Sequence, residues 1–244
     1  MNVIKQLAHD CKYDFKAMVS RLDKGNDLVG VGADLTPSTL IGAYMNGVFP
    51  WYDDEPICWY SPSVRCVITP SDFRPKKSLI RTAKKSSWVL TANHTFCDVI
   101  HACANARPNA TWINADMIHA YDRLHELGVA VSIEVWADKP DGELIGGLYG
   151  LQLGAMFCGE SMFHHQTDAS KIAFWGLMIL CQKTGIKMVD CQLKNPHLMS
   201  LGAKLMDRDV FLQAHLPKTQ QHTLALNTPP MNVADFILHK SLLP

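Results

Sequence analysis

The sequence lacks any C-x-x-C pair. Its eight cysteines, at positions 11, 58, 66, 97, 103, 158, 181 and 191, are scattered, which excludes a zinc knuckle and a dithiol redox motif. They read as reduced, mostly buried thiols of a cytoplasmic chain. No apolar run approaches the roughly 20 residues needed to span a bilayer. Ile172 to Cys181 is half that length, and the opening residues lack the apolar stretch of a signal peptide, so a soluble, unexported protein is expected. Low-complexity tracts and fixed-period repeats are missing as well. With 48% hydrophobic and 19% charged residues over 244 positions, the composition excludes a disordered chain and allows one large domain or a domain with a smaller appendage.

Net charge is zero, but it is unevenly spread. Arg74, Lys76, Lys77, Arg81, Lys84 and Lys85 follow one another with no acid among them, which leaves 17 of the 23 basic residues to face 23 acids elsewhere. Such a patch is either a solvated helix face or a site for an anion or nucleic acid.

Thr36-Pro37 reads as a helix start with Gly47 suited to its end, and Asn114 caps a second helix that stops at Gly128. The aromatic and proline-rich stretch Val48 to Tyr52 and Trp59 to Pro62 reads as irregular, with a domain boundary near Ser61 to Val64. That divides the chain into a small N-terminal domain, 1–62, and a larger domain, 63–244. After a basic helix from about Lys76 to Lys85 come a strand at Trp88 to Thr91 and a helix from about Phe96 to Ala104. Val129 to Trp136, Glu143 to Gly150 and Ala155 to Met162 are then three strands of a meander. A helix from Asp168 to Lys183 and a strand from Lys187 to Leu193 complete a β-β-β-α-β order. The expectation is an α/β (α+β) fold with a mixed sheet, whose last strand pairs in parallel after a crossover.

Within that last strand Asp190 and Gln192 are two apart. An extended chain would project both from one face, with Val189 and Cys191 on the other, so a buried strand would present a carboxylate and an amide. Capping of nearby backbone amides is the plainer reading of such a pair, and catalysis the sharper one. A nucleophilic Cys191 assisted by His197 is disfavoured by the same alternation. His164, His165 and Asp168 lack further ligands at suitable spacing, so no metal is expected.

The element order resembles the acyltransferase core of the GNAT superfamily. There, the loop before the main helix cradles a coenzyme A pyrophosphate. Here that loop, Ser161 to Lys171, contains no glycine, which argues against that donor because backbone amides need glycine to close round a pyrophosphate. A small-molecule N-acyltransferase of the GNAT type is the alternative reading. No cofactor is expected.

Several blocks then point to one family: Gly32-Ala33-Asp34-Leu35, Gly47-Val48-Phe49-Pro50-Trp51-Tyr52, Trp59-Tyr60-Ser61-Pro62, Thr111-Trp112-Ile113, Gly159-Glu160-Ser161-Met162-Phe163, Asp190-Cys191-Gln192 and Ser200-Leu201-Gly202-Ala203. In this order they resemble the bacterial leucyl/phenylalanyl-tRNA-protein transferases. The resemblance implies a small N-terminal domain on a GNAT-like domain. It also implies transfer of Leu, Phe or Met from aminoacyl-tRNA to the N-terminal α-amine of proteins that begin with Arg or Lys, marking them for N-degron degradation by a monomeric, cytoplasmic enzyme.

Carried over by position, Asp190 and Gln192 match the catalytic pair, and Trp51 and Trp112 the aromatics that hold the tRNA 3′ adenosine. Leu148, Phe157, Met162 and Phe174 match the donor side-chain pocket, and Lys77, Arg81 and Lys84 the contacts to the tRNA backbone. Glu160, with Tyr121, is a candidate polar group for the acceptor. Ala33 stands where the family commonly has glycine, Tyr60 where it has tryptophan and Leu148 where it often has methionine. His164-His165 replaces a Ser-Arg pair.

Overall fold

The computed structural model describes residues 3–52, 54–106 and 111–238. The chain begins with α1 (Val3–His9), α2 (Phe15–Ser20), β1 (Leu28–Val31) and α3 (Pro37–Met45). The start of α3 follows from its sequence: Pro37 occupies the first turn and the Thr36 side chain accepts from the Thr39 N–H. β2 (Phe49–Pro50) and β3 (Cys58–Tyr60) follow, and with β1 they form a three-stranded sheet in the order β1-β3-β2. The stretch expected to be irregular therefore contains two paired strands. Local sequence hid them because proline and aromatic clusters signal loops, whereas the pairing partner of β3 lies about thirty residues upstream, Leu28 opposite Tyr60. Ala33, at the usual glycine position, has φ 68°, a left-handed conformation that glycine adopts without cost.

The larger sheet is built by β4 (Val64–Ile68), β5 (Val89–Ala92), β6 (Ala130–Trp136), β7 (Leu144–Leu153), β8 (Met156–His164), β9 (Met188–Asp190), β10 (Lys204–Asp207) and β11 (Met231–Asn232), in the order β10-β4-β9-β8-β7-β6-β5-β11. The helices are α4 (Lys77–Lys85), α5 (Phe96–Asn105), α6 (Ala115–Glu126), α7 (Ala169–Thr184), α8 (Pro196–Met199), α9 (Arg208–Thr219) and α10 (Val233–Leu238). α7 is apolar nearly all round and buried along most of its length, as a helix lying across a sheet must be. It carries the chain over so that β9 enters between β8 and β4, parallel to β8 and antiparallel to β4. The expected meander, crossover and parallel pair are all present. β4, β10 and β11 were not anticipated.

The sheet alternates side chains between two apolar layers. On one face Ile133, Leu148, Phe157 and Val189 pack with α4 and α7. On the other, Ala130, Tyr149, Leu151 and Cys158 pack with α3, α5 and α6 and with Phe49 and Trp59 of the small sheet. The final segment closes the edge of the larger sheet: β11 pairs with β5 and α10 packs against α4 and α7.

One irregularity positions everything that follows. β8 and β9 pair only from Met156↔Met188 to Cys158↔Asp190, while β8 continues to His164 beside β7. Tyr149 is opposite Ser161 and Gly150 opposite Gly159, so Glu160 is one residue too many for its partner strand, a β-bulge. Gly150 is required there, since an added Cβ would come within 2.2 Å of the Cys158 carbonyl oxygen. Past the bulge β8 and β9 part, and the sheet opens between them.

Candidate active site

A cavity of about 530 Å³ occupies the opening. Its walls come from both apolar layers: Leu148, Phe157, Phe174 and Val189 from the α7 side, and Phe49, Ile113 and Tyr149 from the α3 and α6 side. Trp51 and Trp112 line it as well, as do Met162, Glu160 and Gln192. Trp51 is 43% exposed and meets Tyr60 edge-on at 5.9 Å between ring centroids. The structure thus gathers the two tryptophans, the four apolar pocket candidates, Glu160 and Gln192 around one space.

Asp190 is absent from that wall. β9 ends at Asp190, and Gln192 turns into the left-handed region at φ 60°, so the two side chains do not share a strand face as expected. Val189 and Cys191 face the cavity, and Asp190 points behind it into a fully buried pairing with Arg65. Arg65 Nε donates to Asp190 Oδ1 at 2.9 Å and Nη2 to Oδ2 at 2.6 Å. Nη1 donates to the Gly47 carbonyl at 3.0 Å, at the root of the segment that carries Trp51. Phe49 and Phe211 flank the guanidinium, with its carbon 4.9 and 4.7 Å from their ring centroids. Asp190 Oδ1 also accepts the Gln192 N–H at 2.8 Å. It therefore fixes the backbone of Gln192 rather than its amide.

The Gln192 amide is held by Glu160. Its Nε2 donates to Oε1 at 3.0 Å, which leaves the amide carbonyl without a partner among the described residues. The Tyr44 hydroxyl is 2.8 Å from Glu160 Oε1 and the Tyr121 hydroxyl 3.1 Å from Oε2, while the two hydroxyls bond each other. These three contacts form a closed ring that needs three protons, and the tyrosines supply two. Burial pushes the Glu160 carboxyl up to about 8, so at neutral pH it is largely protonated and supplies the third. His215 steadies Tyr44 from below. Burial holds its pKa down to about 4, so the ring is neutral, and Nε2 carries the proton that reaches the Tyr44 carbonyl at 2.8 Å.

Cys191 lines the cavity, contrary to the expected alternation, but it faces Cys66 rather than His197. Arg65, Tyr44 and His215 were all missed. Only Arg65 gave a local signal, as a charge inside the apolar run Val64 to Ile68. Tyr121 is fully buried and belongs to the ring.

Lys77, Arg81 and Lys84 are exposed along one stripe of α4 and form no ion pair among the described residues. They do not line the cavity. α8 stands between, with Asn195 and Leu198 on the cavity side and His197 and Ser200 on a small cleft shared with Lys76 and Lys171. His164 and His165 lie at the exposed end of β8, and no three His, Cys, Asp or Glu among the described residues are grouped as for a metal.

Comparison with known proteins agrees with this architecture. Residues 67–216 match the family model of leucyl/phenylalanyl-tRNA protein transferase, and residues 33–63 match the model of its N-terminal domain. A leucyl/phenylalanyl-tRNA–protein transferase of Psychrobacter arcticus is 48% identical over 231 residues, covering 92% of this chain and 83% of that protein. One from Aliivibrio salmonicida is 47% identical, covering 85% and 88%. Among solved structures, the crystal structure of FemX matches 70% of this chain and 66% of its own, at 12% identity and a TM-score of 0.47, too distant to carry an argument. On the strength of both family models and these relatives, the chain belongs to the leucyl/phenylalanyl-tRNA-protein transferase family.

Proposed function

We propose that the chain transfers Leu, Phe or Met from aminoacyl-tRNA to the N-terminal α-amine of proteins beginning with Arg or Lys, marking them for N-degron degradation. The observation that carries this reading is the cavity itself. It has tryptophans on its wall, an apolar lining on the α7 side and an oriented amide between the parted strands. Stacking of a terminal adenine on Trp51 and Trp112 contributes roughly 1–3 kcal/mol per base. Leu148, Phe157, Met162 and Phe174 then receive an apolar side chain and impose a desolvation cost on a polar one.

The reaction is aminolysis of an ester. The acceptor's α-amine, with an ordinary pKa of about 7.7–8.0, is already partly neutral at physiological pH, so orientation can replace a strong base. Gln192 is suited to this. Donation of its NH₂ to Glu160 fixes the flip of the amide, so the carbonyl is the free end and accepts a hydrogen bond from the attacking amine. Glu160 is then a positioning group, because its oxygens are occupied by Tyr44, Tyr121 and Gln192. Asp190 and Arg65 act from behind by holding the backbone at Gln192 and Gly47. Holding both reactants in attack geometry supplies most of the rate.

The exposed cations of α4 meet the acceptor-stem phosphates. Arg81→Ala should flatten the salt dependence of tRNA binding by about one unit of slope while sparing transfer from a minimal aminoacyl-adenosine. The direct test is incubation of the protein with charged Leu-tRNA and Lys-initiated or Arg-initiated peptides. Leucine on the peptide N-terminus is expected, and acylation of neither peptide would overturn the reading. Transfer from an acyl-coenzyme A to a small amine would favour an ordinary N-acyltransferase instead.

A further inference from the structure

Two thiols meet in the wall of the cavity. β4 pairs with β9 at Val67↔Asp190 and Ile68↔Val189, and beyond Asp190 the backbone of Cys66 bonds both Cys191 and Gln192, so the two cysteines meet at that irregular step. The Cys191 N–H donates to the Cys66 carbonyl at 2.8 Å, and the Cys66 N–H donates to the Gln192 carbonyl at 3.0 Å. Val189 and Cys191 line the cavity while Asp190 points behind it, and both cysteine side chains pack into the apolar layer around α7. A backbone hydrogen bond and a side-chain hydrogen bond join the two cysteines directly, the close approach that a disulfide requires. Both thiols are free. Cys66 is buried, whereas Cys191 is part of the cavity wall and is reached through it. A hydrogen bond from Cys191, aided by one from the Asn195 N–H, lowers the pKa of Cys66, while the same contact and burial push Cys191 up.

We propose that Cys66 and Cys191 are an oxidation site, closed to a reversible disulfide by peroxide, and that closure disables the transferase by displacing Gln192. The consequence for transfer rests on the function proposed above; the disulfide itself does not. Peroxide entering the cavity takes the first step at Cys191, whose proton passes along its hydrogen bond to the Cys66 sulfur as it reacts and leaves with the second water when Cys66 attacks. The sulfur attacks one peroxide oxygen, the O–O bond breaks, and a sulfenic acid and one water result. Cys66, the more acidic thiol, then attacks the Cys191 sulfur; the S–S bond forms, the S–O bond breaks and a second water leaves. Two thiols and one peroxide give one disulfide and two waters. A bond of about 2.05 Å between the sulfurs draws Cys191 toward β4. That movement falls one residue before Gln192, whose left-handed backbone and contact with Glu160 depend on the path of the chain there.

The test is to treat the protein with hydrogen peroxide, block residual thiols, digest it and search by mass spectrometry for the peptide pair joined through Cys66 and Cys191. Transfer is assayed before oxidation, after it, and after dithiothreitol. The joined pair should accumulate, and transfer should fall on the order of tenfold or more and return on reduction. Cys66→Ala should transfer normally when reduced and resist a peroxide dose that silences the wild type. Oxidation of the exposed Cys97 with no joined pair would overturn the site. A joined pair with unchanged transfer would overturn its effect on Gln192, and equal loss in Cys66→Ala would assign the damage to Cys191 alone. Because the joined pair is read without any substrate, a protein inactive on every donor would still show whether the site exists.

Discussion

The α7 side of the cavity and the polar ring on its other side are built on opposite principles. Leu148, Phe157, Met162 and Phe174 belong to a continuous apolar layer and are interchangeable in kind. Their contribution is area and volume, and loss of one leaves the rest in place. Arg65 with Asp190, and Glu160 with Tyr44 and Tyr121, form a directed network in which each polar group answers another, and Gln192 is held at its edge with its amide carbonyl free. Removing one member leaves a buried group unpaired. Under the proposed function the apolar end can therefore vary and tune which donor is accepted, whereas the polar network holds the fold and the reacting geometry together.

The largest loss is expected at Asp190. Asp190→Ala leaves the Arg65 guanidinium buried without its carboxylate, at a cost on the order of 3–5 kcal/mol. Urea unfolding should show the midpoint collapse, with transfer lost as well. A variant as stable as wild type would show that Arg65 finds water or another acceptor.

At the apolar end the expected effect is smaller and selective. Leu148→Ala enlarges the pocket, so transfer of Leu should weaken more than transfer of Phe, by on the order of 1–3 kcal/mol in kcat/KM. Equal loss with both donors would place Leu148 outside the pocket, and an unfolding cost without any change in donor preference would make it a core residue only.

The smallest effect lies in pH. Glu160 titrates near 8 in the folded protein but near 4.5 when unfolded, so between these values the folded state binds more protons and stability falls as pH rises. His215 has the opposite sign: its folded value near 4 lies below the ordinary 6.5, so its contribution rises with pH and is complete by about 6.5. From pH 6.5 to 8 the Glu160 effect is left unopposed by His215. Wild type should lose stability across that window, and Glu160→Gln should flatten the loss. Parallel profiles for the two proteins would show that the carboxyl is already ionised and that the ring is closed some other way.

The same contrast governs what the sequence disclosed. Thr36-Pro37 and Asn114 announced α3 and α6 because helix starts are written in adjacent residues. The meander and the crossover strand were legible from their changing period. The four apolar residues that line the cavity were named from their positions in the family's motifs. The polar network was not legible, because its members are distant in sequence: Tyr44 and Glu160 are 116 residues apart, and Arg65 and Asp190 are 125 apart. The face assigned to Asp190 failed for a local reason too. Strict alternation holds only while a strand lasts, and β9 stops at the residue before Cys191, with Gln192 already in a left-handed turn.

In the proposed function the apolar end selects the donor while Gln192, fixed by Glu160, orients the amine. That division is tested most directly by single-turnover transfer of Leu and Phe from aminoacyl-tRNA to an Arg-initiated peptide, comparing wild type with Gln192→Ala. Transfer should fall on the order of 10²-fold, equally for Leu and Phe, with tRNA affinity and unfolding midpoint little changed. A rate within a factor of about two of wild type, or a loss that depends on the donor side chain, would contradict it.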